Sequence, residues 1–498
     1  MRNYLSQILS LFAAMIVIAC NNDNAPEEIY HTLRITSDQG GTVDVASGKY
    51  LEGTSLTITA YALEGFEFSG WSGDLNSETT TLAISIDQAL EIHANFNEVE
   101  NSLNENVLEL DEELVDTSGY IFAIESGQNT CYLLDHSGNK IYNWEFDANL
   151  GQDIEITPDG NLLGLFQVES PQIGFGGQSG LVRMLDKEGT LIWEYVLASE
   201  NEIAHHDLTQ LPNGNILVLV WERISNEEAT AVGLNNTTDI FTEKIVEIDP
   251  ITDSIVWEWR SWEHIVQNYN ENLASYGDPD TLKNKINILY ANNSVHQFVE
   301  DGDIMHANGL DYLPEKDIIA LSINFFSEVW IIDHSTTTEE AKTGSGGQFG
   351  RGGDLLYRFG NQRVFGNMNA TNIFDFNHHP TFVKNQGSTS LLIYNNNQMA
   401  QRSSAMEFSL PEINGLTLIG SDPNLIFEFT DDALYHPRIS GAYRLPNGNT
   451  LICEGDFGYW EVTPQGKVVW KYQGEGTSFW RGIFYSKQSP QITNLELD

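Results

Sequence analysis

The stretch that decides the fold is His205-His206-Asp207-Leu208-Thr209-Gln210-Leu211-Pro212-Asn213-Gly214-Asn215-Ile216-Leu217-Val218-Leu219-Val220-Trp221-Glu222-Arg223. A polar head enters a short strand, Pro212-Asn213-Gly214-Asn215 turns it, and the apolar, β-rich run Ile216–Trp221 returns. Asn-Gly is a strong hairpin signal because both residues tolerate positive φ. The unit recurs. Gln152-Asp153 precedes Thr157-Pro158-Asp159-Gly160-Asn161, and Ser440-Gly441-Ala442 precedes Leu445-Pro446-Asn447-Gly448-Asn449. Looser copies begin at His306-Ala307-Asn308 and at His378-His379-Pro380-Thr381.

A second signature, a turn followed by a strand with paired aromatics, alternates with the first. Its six copies carry Tyr142 and Trp144, Trp193 and Tyr195, Trp257 and Trp259, Tyr357 and Phe359, Phe427 and Phe429, and Trp470 and Tyr472. A repeat of roughly 40–60 residues built from such hairpins is the pattern of propeller blades. The expected fold is therefore all-β: a six-bladed β-propeller of four-stranded blades over residues 115–485, preceded by a small β-rich module. Aromatics recur at one place in each repeat because neighbouring sheets must fill the same gap.

At 498 residues the chain exceeds one ordinary core. A formal net charge of -47 excludes a nucleic-acid partner and gives an anionic substrate no long-range attraction, so any anion site must use local donors. Residues 1–20 form a targeting segment: Met1-Arg2, an apolar run from Leu5 to Ala19, then Cys20. The run is too short for a confident membrane span, and the small residue before Cys20 resembles a bacterial lipoprotein signal. That resemblance implies a lipidated Cys20, a tether over 21–29, and a cell-envelope location, periplasmic or at the surface. Cys131 and Cys453 remain, free to pair or to stay as buried thiols.

Residues 30–98 read as short alternating strands, and the run Phe68-Ser69-Gly70-Trp71-Ser72-Gly73-Asp74 resembles the divergent internalin-type B-repeat. An acidic linker is expected over 99–114, and a C-terminal tail over 486–498. The best helix signal, Trp262 to Leu289, marks an insertion placed to act as a lid or interface.

Blades present equivalent strands around one axis, so residues at matching positions ring a central channel. His206, Asn308, His379 and Ser440 fall at about one position, with Gln152 from another blade. Half of the twelve histidines, His205, His206, His306, His378, His379 and His436, sit at such heads. Neutral imidazole is a nucleophile, a proton donor or a metal ligand. A ring of His and Asn without matching carboxylates fits binding of an oxyanion better than hydrolytic metal chemistry, so neither a metal nor a cofactor is expected. Asp207 should face away from its neighbour His206 by strand alternation. Asp301-Gly302-Asp303 reads as a loop turn.

These residues carry a resemblance. His205-His206-Asp207 with its Leu-Pro-Asn-Gly-Asn turn, His306-Ala307-Asn308 with Asp311-Tyr312-Leu313-Pro314, Ser327-Glu328-Val329-Trp330, His378-His379 and the run from Ser440 to Glu461 resemble the bacterial arylsulfate sulfotransferase family. The resemblance implies transfer of a sulfuryl group from a phenolic sulfate donor to a phenol acceptor, without a nucleotide donor, through a sulfohistidine. It implies His379 as the histidine that takes the sulfuryl group. His306 and Asn308 match the pair that binds its oxygens and helps the leaving phenolate, and His205 or His206 matches the remaining channel histidine.

Two positions depart from the family pattern: Asn324 stands where arginine is usual, and Pro380 replaces an acid. Loss of the arginine removes a fork-shaped cation matched to sulfate, and Arg438, at the head of the last blade, is the candidate replacement. His378 and Ser440 complete the expected substrate-binding set. The competing reading is a non-catalytic surface propeller that binds a glycan, peptide or sulfated ligand.

Overall fold

The computed structural model describes residues 28–63, 65–98, 103–293, 297–385, 388–411, 423–475 and 478–497. The targeting segment with Cys20, and most of the tether, lie outside the described residues. Two compact units divide the chain, one ending at Ser102 and one starting at Leu103.

The repeated turns share one geometry. Gly160, Gly214 and Gly448 donate their N–H to the carbonyls of Thr157, Leu211 and Leu445 at 2.9, 2.9 and 3.0 Å. The N–H groups of Thr157, Leu211 and Leu445 donate in turn to the carbonyls of Asn161, Asn215 and Asn449 at 2.8 Å each. Only the glycines take positive φ, 81°, 90° and 92°; Asp159, Asn213 and Asn447 do not. The hairpins therefore close through a turn with a glycine bulge rather than the two-residue turn with positive φ at both centres. The longer loop relaxes the demand on Asn and leaves it to Gly alone.

Six strands begin or close the sheets of the larger unit: β1 (Leu150–Ile156), β2 (Glu202–Gln210), β3 (Ala307–Leu313), β4 (Asn377–Asn385), β5 (Gly441–Arg444) and β6 (Phe479–Ser486). Each is the strand at one edge of a separate antiparallel sheet of four or five strands. β1 lies against β2, β2 against β3, and so on to β6, which returns to β1. The unit is all-β and propeller-like.

The six aromatic strands of the sequence pattern are Lys140–Glu145, Leu191–Val196, Ser254–Arg260, Tyr357–Phe359, Asn424–Phe429 and Val468–Gln473, each the fourth strand of its sheet. Their rings pack between sheets. Trp257 and Trp259 share one buried cluster with Ile319 and Leu321 of the next sheet, and Trp470 and Tyr472 share another with Ile121 and Tyr132. Truncating one such buried Trp to Ala costs about 3–5 kcal/mol.

The two ends of the unit interlock. β6, from the C-terminal end, pairs with Gly119–Glu125. Val107–Leu110 falls within the expected linker yet adds a fifth strand beside Val468–Gln473. The C-terminal tail is anchored as well, with Ile492 and Leu495 buried among Phe122, Trp144 and Leu162.

The insertion 262–289 forms no α-helix. A 3-10 turn at Ser261–His264 leads into Ile265–Val266, which pairs in parallel with Ile286–Asn287. Asn270 and Asp278 accept N–H bonds from Asn272 and Asp280, local bonds that compete with a helix.

The smaller unit has a mixed four-stranded sheet and a three-stranded antiparallel sheet. Between them lie Leu33, Ile35, Ile58, Trp71, Ile92 and Phe96. The Trp71 indole donates to the Thr79 carbonyl at 3.0 Å, which seats the signature tryptophan.

Candidate active site

The inner strands are bulged where the polar heads sit. Pairing slips between Ala204 and Leu208 in β2, between Ala307 and Gly309 in β3, and between His378 and Thr381 in β4. His206, His306 and His379 take left-handed φ of 54°, 54° and 51°, and Ser440 at the head of β5 has φ 102°. Such conformations cost of order 1–3 kcal/mol for a non-glycine residue and persist where the surroundings over-determine them. A bulge re-aims side chains that strand alternation would separate. It brings His205 and His206 together, their Nδ1 atoms 2.9 Å apart. Asp207 turns instead to Arg481.

A cluster of rings forms around the first two heads. His206 lies edge-on to His306 with centroids 4.7 Å apart. His205 stacks on Trp221 at 3.9 Å, and His306 stacks on Phe325 at 4.7 Å. Trp480 of β6 reaches both His206 and His378, at 5.7 and 6.1 Å. Gly177 permits this packing, because a Cβ there would lie 2.1 Å from the His206 ring. Burial holds His205 down to about 3 and pushes His206 and His378 well below the ordinary histidine range, so all three are neutral at pH 7.

Two carboxylates stand behind these rings, in addition to Asp153 and Asp207, the acids that the sequence places at the heads. Asp303 is fully buried; its Oδ2 sits 2.5 Å from His306 Nδ1, and its Oδ1 accepts the His306 N–H at 3.1 Å. Its run, expected to be a plain loop turn, orients an imidazole. Glu243, equally buried, places Oε2 3.1 Å from His205 Nε2 while Oε1 accepts the Ala307 N–H at 2.8 Å. Asp303 was visible as an acid three residues before His306. Glu243, on the third strand of its sheet, carried no such signal.

The tautomer of His378 follows from its neighbours. Asn396 donates its amide N–H groups to the His436 and Ile439 carbonyls at 2.8 and 2.9 Å, so its Oδ1 faces His378 Nδ1 as an acceptor at 2.6 Å. His378 therefore carries its proton on Nδ1 and keeps a lone pair on Nε2. The Asn324 amide, 3.4 Å from the same Nδ1, is better satisfied by the Asn377 carbonyl at 3.1 Å. Asn308 donates to that carbonyl as well, at 2.8 Å. Asn308, expected to bind sulfuryl oxygens, and Asn324, which stands where arginine is usual, thus hold the start of β4. The Asn308 Oδ1 is buried without a hydrogen-bond partner.

His379 is turned elsewhere. Its Nδ1 lies against Gly441, and it lines a cavity of about 680 Å3 with Asp153, Asp207, Asp311 and Arg481. Burial and the Arg481 charge push it well below its ordinary range. Its neighbour His378 occupies the place beside His206 and His306 that the sequence pattern gave to His379.

Arg438 does not replace the missing arginine at the centre. It is exposed, and its backbone N–H caps His436 Nδ1 at 3.2 Å. Ser440 is buried and accepts the Gly455 N–H at 3.1 Å, a backbone-holding role. The arginine at the centre is Arg481, from β6. It forks onto both oxygens of Asp207 at 2.9 and 2.8 Å, lies 3.2 Å from Asp153, and donates to the Asn308 carbonyl at 3.3 Å. Its signal was a lone cation inside an apolar strand.

The profile of the Arylsulfotransferase (ASST) family matches residues 99–468, and that of the Divergent InlB B-repeat domain matches residues 31–100. No curated protein matches the chain. Among solved structures, a protein of unknown function from Bacteroides caccae is 12% identical with a TM-score of 0.41, over 73% of this chain and 98% of that one. A putative 6-phosphogluconolactonase from Bacteroides fragilis is 12% identical with a TM-score of 0.37, over 74% of this chain and 99% of that one. The Dos1 propeller is 11% identical with a TM-score of 0.32, over 91% and 86%. At these scores the likenesses carry no weight, and the fold rests on the strand pairing. With a divergent InlB B-repeat domain ahead of its match, the chain belongs to the arylsulfotransferase (ASST) family.

Proposed function

We propose that the six sheets are the blades of a propeller and that the chain moves a sulfuryl group from a phenolic sulfate to a phenol, with no nucleotide donor, through a sulfohistidine. The observation that carries this reading is the cluster itself. Two imidazoles in left-handed backbone, His206 and His306, pack at 4.7 Å, and the neutral His378 meets the same Trp480 with its lone pair on Nε2. His378 Nε2 attacks sulfur in line with the aryl oxygen, the S–O(aryl) bond breaks, and an N-sulfo imidazolium forms with its Nδ1 proton still held by Asn396. His306, aligned by Asp303, meets the sulfuryl oxygens. Loss of one such donor typically costs about 10²–10³ in rate. His206 delivers a proton to the departing phenolate. Trp221, Trp480 and Phe325 supply apolar walls suited to an aromatic ring. The second half repeats these steps in reverse with the acceptor phenol.

The test is incubation with a chromogenic aryl sulfate and a phenol acceptor. Phenol release coupled to formation of the new sulfate ester supports the reading. Ligand binding with no release would favour a non-catalytic propeller. The apolar run ending in Ala19-Cys20 supports lipid anchoring in the cell envelope. Wild type should enter the detergent phase on phase separation, and Cys20→Ser should stay in the aqueous phase.

A further inference from the structure

The chemistry proposed above needs a proton from His206, and burial keeps that ring neutral. A neutral imidazole gives up an Nε2 proton only if its Nδ1 is refilled at the same time. His205 Nδ1 lies 2.9 Å from His206 Nδ1, and the far nitrogen of His205 lies 3.1 Å from Glu243 Oε2.

We propose that Glu243, His205 and His206 form a proton relay that stores the catalytic proton on a buried carboxyl group. This rests on the sulfotransfer reading. In the resting chain Glu243 is the acid, His205 carries its proton on Nδ1, and His206 carries its proton on Nε2. As the S–O(aryl) bond breaks, the aryl oxygen takes the His206 Nε2 proton. His206 Nδ1 takes the His205 Nδ1 proton, His205 Nε2 takes the Glu243 proton, and Glu243 is left as carboxylate. In the second half the acceptor hydroxyl gives its proton to His206 Nε2 and the hops reverse. One proton leaves with the product phenol and one arrives with the acceptor, so no solvent proton is needed.

Three features of the packing suit the relay. His205, Glu243 and Asp303 are fully buried, and His206 nearly so, which shields the stored proton from water. The 3.1 Å between His205 Nε2 and Glu243 Oε2 is within reach of a proton hop, and because the two atoms are not aligned as a hydrogen bond the hop requires one side chain to rotate. Burial, with the charge of Asp303 beside it, pushes Glu243 up to about 8, so it holds a proton at neutral pH. The other charged or titratable groups facing the relay are His306 and Asp303 toward Glu243, Asp207 toward His205, and His378 and Arg481 toward His206. Glu243 and His205 are positioning residues, since neither meets the substrate.

Single-turnover phenol release from wild type and Glu243→Gln, across aryl sulfates of graded leaving-group acidity, tests the relay. A glutamine still donates to His205 but has no proton to give. Release from weakly acidic phenols should fall about 10²–10³-fold, while release of an activated nitrophenol should change by less than about 10-fold. In wild type, release from the weakly acidic phenols should decline as pH rises through about 8, and the variant should lack that limb. His205→Gln cuts the relay one step later and should show the same selectivity, which secures the result if Glu243→Gln folds poorly. Equal slowing with every donor, or no slowing at all, would overturn the relay while leaving sulfotransfer intact. Wild-type protein that releases no phenol would sink both.

Discussion

His206 meets His306 edge-on across two sheets, ring centroids 4.7 Å apart at an interplanar angle of 80°. Asp303 fixes the second of these rings from behind, at 2.5 Å. The pair therefore presents two differently supported imidazoles, one tied to a carboxylate and one tied to another histidine.

Asp303→Asn removes the charge that orients His306 and leaves the shape nearly unchanged. Turnover should fall about 10²–10⁴-fold with KM little altered, because the lost support matters most as charge develops on the sulfuryl oxygens. Steady-state kinetics with a chromogenic aryl sulfate checks it. An unchanged turnover number would mean that His306 is a packing residue.

Arg481→Met leaves Asp207 and Asp153 buried without their shared cation. Breaking a buried pair from one side costs about 3–5 kcal/mol, and denaturant unfolding should show a loss of that size. Adding Asp207→Asn should recover part of it. A double variant no more stable than the single one would place the cost in packing rather than charge.

The hairpin repeats made most of this architecture legible. Leu211-Pro212-Asn213-Gly214 and its copies announced the turns, and the paired aromatics marked the fourth strand of each sheet because every gap between sheets needs the same filler. What stayed hidden is tertiary. The sequence says which residues head each strand, but a bulge decides whether His378 or His379 turns toward His206. Glu243 and Arg481 reach the centre from a third strand and from the closing C-terminal strand, whose neighbours in space lie far off in the chain. Asn308 and Asn324 were in the right place, yet their amides serve the Asn377 carbonyl.

His334 provides a pH-dependent clasp away from the cluster. Burial opposes its charge, but bonds to Glu247 at 3.2 Å and Asp317 at 2.6 Å outweigh this and raise it above the ordinary range. A raised histidine contributes stability that is fully present below the unfolded value and is lost as pH rises through the folded value. His334→Gln should therefore destabilise the chain at pH 5–6 and make little difference at pH 9, as thermal melts at the two pH values would show. Equal losses at both would point to packing alone.

Cys131 and Cys453 are both free and buried, and burial raises both thiols well above their ordinary range. Neither should react with a water-soluble thiol reagent in the native protein, and both should react after denaturation without reductant. If reductant were required, the pair would be bridged.

The most direct measurement is peptide mass analysis after brief exposure of the protein to an aryl sulfate with no acceptor, under alkaline quench. A sulfuryl group should appear on the peptide carrying His378 and His379, vanish when a phenol is added, be absent in His378→Ala and persist in His379→Ala. Phenol release with no sulfated histidine at any time, or a label lost only in His379→Ala, would contradict catalysis by the His206, His306 and His378 cluster.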